Sequence, residues 1–387
     1  MNKSLSLYLD SVRFIAALLV FLFHMGYFSG WRVPVVGQYG SEAVIAFFVL
    51  SGFVISYTAE YKHPDLRDYA LSRLARLWSV GLPAIALTCL LDTVGQHLAL
   101  PAYAPMVPYS AIKWLAAGLA NGAFLNQFWS FSLWPGTNGP FWSIAYEFWY
   151  YAIFGAAFYL TGWRRVCLVI VALLVAGPKI VVAFPIWLIG VALFRALPSD
   201  RRPAAPVAGA LVWCASLALL VAFFSLDATA WLEAAFPTMA AFGHSTWEVD
   251  FLPKSCLLGL MLGLNLYGAM LLSGAIRRIA RPLAALVAVL ADASFGLYLF
   301  HYPVGYFVKA VLWSLGVTGG TGYIATIYLV SFAISFGLGL LFDPLRRPLL
   351  RQLRRLAGLI APAAPTGGGR AVGGDGAPQP QAASNQG

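Results

Sequence analysis

Asp10-Ser-Val-Arg13-Phe-Ile-Ala-Ala-Leu-Leu-Val-Phe-Leu-Phe-His24 is an apolar run with an arginine near one end and a histidine closing the other. Extended over Leu9–Phe28, it supplies the roughly 20 residues that a helix needs to cross a bilayer core. It is full length and lacks a small-residue cleavage site, so it reads as a retained helix and not as a signal peptide. Eleven residues of α-helix turn through about 1100°, about 20° beyond three full turns. Arg13 and His24 therefore share one face, about 16 Å apart along the axis. A snorkelling arginine neutralised by Asp10, and a histidine packed against a neighbour, would account for each residue singly. Ionisable groups within spans are functional candidates by default, and the shared face makes the pair more telling than either alone.

The rest of the chain repeats this character. Of its 387 residues 60% are hydrophobic and 10% charged, with mean hydropathy +0.76; a soluble domain carries about a quarter charged residues. Further apolar runs follow at Ser41–Ala59, Leu77–Leu98, Phe141–Thr161, Val166–Ala176, Ile180–Phe194, Ala205–Phe224, Leu252–Leu272, Leu283–Val304 and Gly322–Leu341. The expectation is an all-α integral membrane protein of about ten transmembrane helices. The fifth and sixth runs, separated by Gly177-Pro178, are short enough to be tilted or merged. Lys113–Phe128 is broken by Gly118, Asn121, Gly122, Asn126 and Gln127, which suits a surface or re-entrant segment.

Charge placement orients this map. With a cytoplasmic N-terminus, all but five (Arg32, Lys113, Lys179, Lys254 and Lys309) of the 25 Lys and Arg residues fall on the cytoplasmic side, as the positive-inside rule requires. Both termini are then cytoplasmic. The net charge of +10 is thereby used up in clusters between spans, leaving no basic face to track a nucleic-acid backbone. Cys89, Cys167, Cys214 and Cys256 sit singly in apolar segments, without disulfide or metal spacing. A transmembrane domain is expected over residues 1–355. Residues 356–387, rich in Gly, Ala, Pro and Gln from Pro362 on, are expected to form a disordered cytoplasmic tail.

Several polar groups inside or beside spans stand out. Arg73 and Arg76, at i and i+3, share a helix face at the cytoplasmic surface and suit a phosphate-bearing ligand, although ordinary topological anchoring explains them as well. Glu147 lies about two turns in from Asn138, in Trp142-Ser143-Ile-Ala-Tyr146-Glu147, and needs a partner; His24 and Arg32 are near its depth. Trp142 and its neighbours also suit an interfacial belt. His301, in Ser294-Phe-Gly296-Leu-Tyr298-Leu-Phe-His301, falls at the depth of His24 and Glu147. Three titratable groups from three helices at one depth are what general acid–base chemistry needs. Ser51 and Gly52 read as packing residues and Glu42 as interfacial. His63, His97 and His244 fall in loops or at span ends.

At these residues the chain resembles acyltransferase family 3, bacterial membrane O-acyltransferases that modify exported carbohydrates. The similarity rests on Arg13 and His24, on Phe47-Phe48-Val-Leu-Ser51-Gly52-Phe53, on Arg73 with Arg76, on Trp142-Ser143 with Glu147, and on Ser294 to His301. It covers about residues 8–350. Many members end the last helix with Glu before Pro, where this chain has Asp343-Pro344.

The resemblance implies a multi-pass protein of the bacterial cytoplasmic (inner) membrane. Acyl-CoA, most commonly acetyl-CoA, would be the donor co-substrate, and a hydroxyl of an exopolysaccharide, lipopolysaccharide or other glycan the acceptor. It implies that Arg13 and His24 are required. His24 is then the expected general base, with Arg13 and Glu147 beside it as catalytic residues. Arg73 and Arg76 would hold the CoA phosphates, and Trp142, Ser143 and His301 would contact the acceptor. The chemistry calls for no metal. The rival reading is a polytopic transporter of a small solute or lipid-linked sugar, since buried Arg, His and Glu serve proton-coupled transport equally well. Transporters often carry structural repeats, and none is visible here.

Overall fold

The structure is a computed structural model that describes residues 2–103, 109–196, 205–237, 252–275 and 280–360. Among these residues the regular structure is entirely helical. In chain order the helices are α1 (Lys3–Ser29), α2 (Gly40–Tyr61), α3 (Leu66–Leu98), α4 (Ala111–Gly122), α5 (Trp142–Tyr159) and α6 (Gly162–Arg195). They continue with α7 (Pro206–Ser225), α8 (Ala228–Ala235), α9 (Leu252–Ser273), α10 (Arg281–Ser314), α11 (Thr321–Phe342) and α12 (Arg346–Ile360).

Local chemistry sets several starts and stops. Asn2 caps α1 by accepting from the Leu5 N–H at 2.8 Å, and Asp65 and Ser110 do the same for α3 and α4. Each side-chain oxygen serves a first-turn N–H that has no intrahelical acceptor. Gly30 closes α1 in the left-handed region, φ 72°.

Among the described residues, eight helices are long and apolar enough to cross a membrane: α1, α2, α3, α6, α7, α9, α10 and the run beginning at Thr321. Helix α5 falls outside that set because its 18 residues include two Trp, four Tyr and Glu147. It is nevertheless largely buried in the bundle.

Helix α6 is two helices in one. Gly177 adopts φ 76° and ψ 171° in its middle, a conformation that only glycine takes without strain. Past Gly177 the chain runs parallel to α5 and α2. Phe184 and Trp187 face Tyr150, Trp187 also faces Phe154, and Phe194 lies against Phe53, Tyr57 and Tyr61. Since α6 begins where α5 ends, the half before Gly177 runs the opposite way. The chain therefore doubles back at Gly177-Pro178.

The segment from α4 to Asn138 folds along α3 and back. Trp114 and Gly136 meet beside Asp92, which accepts from both the N–H and the Oγ1 of Thr137 at 2.7 and 2.8 Å. The other end reaches Trp78, whose indole N–H donates to the Gly122 carbonyl at 2.9 Å. Asp92 and Trp78 lie about 21 Å apart along α3, so the segment runs that distance along the helix and returns. Phe124 at its tip stacks on Phe148.

Helix α10 packs between α1, α3 and α11 and carries Pro303 inside it. Proline has no N–H to give the carbonyl four residues back. That carbonyl, Leu299 O, accepts from the Asn138 side chain at 2.9 Å instead, which ties the entry of α5 to α10. The start of α1 and all of α12 lie at one end of the bundle, with Asp10, Arg13, Arg76, Asp343 and Arg346 around one opening. Helix α12 continues past residue 355 to Ile360. The rest of the expected tail, and His244, lie outside the described residues.

Candidate functional site

Among the described residues, one cavity enters the bundle from each of two opposite ends. The larger, about 370 Å³, lies at the basic end and is lined by Asp10, Arg13, Ser51, Lys62, Arg73, Arg76, Ser143, Glu147, Tyr151, Asp292, Asp343 and Arg346, among others. The smaller, about 220 Å³, lies toward the Gly40 end of α2 and is lined by His24, Glu42, Trp134, Trp142, Lys254 and Tyr302, among others. Val44, Phe48 and Tyr298 line both. These three side chains are the partition between them.

At the basic end, Arg13 reaches Asp10 at 3.1 Å, the i, i+3 pairing available on its own helix. Arg76 reaches Asp343 at 2.5 Å and lies over the Phe295 ring, so the Asp-Pro that follows α11 is a direct partner of the arginine pair. Arg73 donates from one Nη to His63 Nε2 at 3.0 Å and to Ser72 at 3.2 Å, while its Nε is buried without a hydrogen bond. His63, in the loop before α3, passes the contact on by donating from Nδ1 to Asp68 at 2.8 Å. Burial pushes the His63 imidazole below its usual range, and the Arg73 charge acts in the same direction. The neutral ring can therefore accept from one side and donate to the other. Five cationic side chains, Arg13, Lys62, Arg73, Arg76 and Arg346, line this cavity, two of them (Arg13 and Arg76) paired with a carboxylate, and together they form a seat for a polyanion.

Glu147 belongs to this cavity and not to His24 or Arg32. Its carboxylate accepts from the Tyr151 hydroxyl one turn on and from Ser51 Oγ at 3.2 Å. Ser51 in turn accepts from the Trp187 indole N–H at 3.2 Å. The closeness is made by glycine: a Cβ on Gly52 would stand 2.1 Å from the Trp187 carbonyl oxygen, and one on Gly190 would stand 2.0 Å from that of Val49. Ser51 is thus a polar member of the site as well as a packing residue. Ser143 lines the same cavity and shares a 2.8 Å hydrogen bond with the Tyr298 hydroxyl.

On the other side, His24 lines the smaller cavity from α1 and Trp142 lines it from the start of α5. His24 Nδ1 lies 3.0 Å from the Val20 carbonyl and 2.9 Å from His301 Nε2. Among the described residues His24 Nε2 makes no hydrogen bond. His301 is fully buried and lines neither cavity; its Nδ1 faces the carbonyls of Leu297 and Tyr298 at 3.1 and 2.8 Å. Across the cavity Glu42 pairs with Lys254 at 2.8 Å, and the second Glu42 oxygen is buried without a partner. Tyr302 packs edge-on against the His24 ring.

Of the residues singled out by sequence, the structure brings Arg13, Arg73, Arg76, Ser143 and Glu147 into one cavity and His24 and Trp142 into the other, with His301 touching His24 from behind. Sequence reasoning passed over Ser51, Tyr151, His63, Glu42, Lys254 and the Arg76–Asp343 pair. Tyr151 stands four residues after Glu147, the spacing at which helix neighbours meet, and was legible for that reason. The other contacts cross between segments.

Comparison with known proteins adds one finding. A family model described as an acyltransferase domain matches residues 6–340. No curated protein and no solved structure matches the chain.

Proposed function

This chain belongs to acyltransferase family 3, and from that membership we propose that it moves an acyl group, in the first instance acetyl, from cytoplasmic acyl-CoA to a hydroxyl of an extracytoplasmic or lipid-linked carbohydrate. The observation that carries the reading is the pair of cavities that share one thin partition. A basic cavity on one side fits a nucleotide-bearing donor. An aromatic-rimmed cavity with a histidine and a carboxylate fits a polyhydroxylated acceptor.

The chain would cross the inner membrane ten times: α1, α2, α3, α5, both halves of α6, α7, α9, α10 and α11. The reversal at Gly177 supports that count. The basic end faces the cytoplasm on the strength of the Lys and Arg distribution. Arg73 and Arg76 hold the donor phosphates, Arg13 assists deeper in, and the acyl arm reaches past Ser143 toward Tyr298. His24 takes the proton of the acceptor hydroxyl at Nε2. The oxygen then bonds to the thioester carbonyl carbon, the carbon–sulfur bond breaks, and the thiolate leaves toward the cytoplasm. Glu147 holds Ser51 and Tyr151 beside the donor path, and Trp142 stacks on the sugar.

The test is esterification and release of free CoA by the purified protein in lipid nanodiscs. His24→Ala at matched fold is expected to lose at least about a hundredfold in rate, the scale of a general base. Undiminished ester formation would remove His24 from the role. A transporter would release no CoA when acyl-CoA and acceptor are supplied.

A further inference from the structure

The hydrogen bonds around the two histidines have one consistent proton assignment. A backbone carbonyl is only an acceptor. Leu297 and Tyr298 offer two carbonyls to His301 Nδ1, so that nitrogen carries the hydrogen and His301 Nε2 is a bare acceptor. Val20 offers a third to His24 Nδ1 at 3.0 Å, so that nitrogen also carries a hydrogen, shared between the Val20 carbonyl and His301 Nε2 at 2.9 Å. Both rings are then neutral, and the lone pair of His24 is left on Nε2, at the edge of the cavity. A protonated His301 would set two N–H groups against each other.

We propose that His301 is the positioning residue of the acyl-transfer site: it fixes His24 in the Nδ1–H tautomer and so presents Nε2 as the base. The inference rests on His24 being the base. In soluble hydrolases this place behind the histidine is commonly held by a carboxylate, whose loss leaves the geometry intact but the wrong tautomer populated. A carboxylate within a membrane span is expensive unless it is paired. A second imidazole, itself locked by the backbone, accepts the same hydrogen bond without burying a charge. The arrangement also gives His301 a reason to line neither cavity: it acts through His24 and touches no substrate. The helical turn that supplies the two locking carbonyls lies just before Pro303, in a stretch pinned by Asn138 and Ser143.

Three substitutions separate positioning from packing. The titratable and charged groups facing His24 are Glu42 and Lys254, paired with one another, together with Tyr298, Tyr302 and His301; none but His301 bonds to its Nδ1. His301→Leu removes the acceptor and is expected to lower kcat by about a hundredfold or more with the KM for acyl-CoA within about twofold, as expected when a base loses its orienting partner. His301→Gln restores an acceptor oxygen and is expected to recover at least about a tenth of wild-type kcat. His301→Glu places a carboxylate behind His24. It is expected to move the acid limb of the kcat/KM profile upward by about one pH unit or more, because a neighbouring negative charge favours the imidazolium.

A role confined to packing would give leucine and glutamine the same rate, and that result overturns the proposal; an unmoved acid limb in the glutamate variant overturns it as well, because the residue at this position would then not face the titrating base. Where a variant does not fold, nitrogen-15 solid-state NMR of histidine-labelled wild-type protein in lipid still decides the matter. His24 must show a protonated Nδ1 and a bare Nε2, and the reverse pattern refutes the assignment. That spectrum does not depend on activity, so it also distinguishes failure of this proposal from failure of the base assignment tested by His24→Ala.

Discussion

Arg76 is held by Asp343 at 2.5 Å in a pair that is about one-fifth exposed. Ion pairs that solvent can still reach contribute on the order of 1 kcal/mol to stability, whereas a charge-assisted hydrogen bond to a ligand is worth about 1.5–3 kcal/mol. Binding and not folding is therefore where Arg76 should matter. Arg76→Gln is expected to raise the KM for acyl-CoA by about tenfold or more, with kcat within about twofold and the melting temperature nearly unchanged. Asp343→Asn frees the guanidinium and should lower that KM; steady-state kinetics on the two variants checks both signs. At this scale the sequence was informative wherever partners sit on one helix. The shared face of Arg13 and His24, and the Asp10–Arg13 pair, follow from helical arithmetic. The link between His24 and His301 spans 277 residues, and hydropathy gives depth without lateral position. The same lack of lateral information let Glu147 be matched to His24 when its carboxylate is engaged by Tyr151 and Ser51.

Helix α6 shows what an element can hide. Gly177-Pro178 marks a break in the sequence, but only the packing of Phe184, Trp187 and Phe194 against α5 and α2 reveals a reversal. Gly177→Ala forces a side chain into φ 76° and to 3.0 Å from the Trp129 backbone, a strain of about 1–3 kcal/mol. Gly190→Ala is expected to cost more, because its Cβ would meet the Val49 carbonyl at 2.0 Å and no side chain can move aside. Thermal unfolding in detergent should rank the two in that order, and the reverse order would contradict the close approach of α2 and α6. Gly190→Ala should also lower activity, since the interface it opens carries the Trp187–Ser51 bond. Helix α5 was legible only in outline: its aromatic residues and Glu147 depress its hydropathy, and burial by neighbours substitutes for apolarity. The course of α4 along α3 likewise depends on Trp78 and Asp92 and could not be read from its own residues.

Across the whole molecule, the Lys and Arg asymmetry predicts which end faces the cytoplasm, and a reporter can check it. A fluorescent protein fused after residue 360 should fold and shine, whereas alkaline phosphatase inserted at Asp227, after α7, should be active outside; the opposite pair of results would invert the topology. The partition of Val44, Phe48 and Tyr298 has an electrical consequence. On the proposed mechanism His24 collects a proton on the outer side, while the departing thiolate collects one from the cytoplasm. Those sites are separated by hydrophobic side chains and one phenol. Each acyl transfer then displaces a unit of positive charge outward, against an inside-negative potential that opposes it by about 2.3 kcal/mol per 100 mV for a full crossing. Vesicles given an inside-negative potassium diffusion potential should acylate more slowly than unpolarised ones. An equal rate would mean that His24 hands its proton directly to the leaving sulfur. The thickness of that three-residue wall makes the enzyme, in effect, a small electrical load on the membrane it occupies.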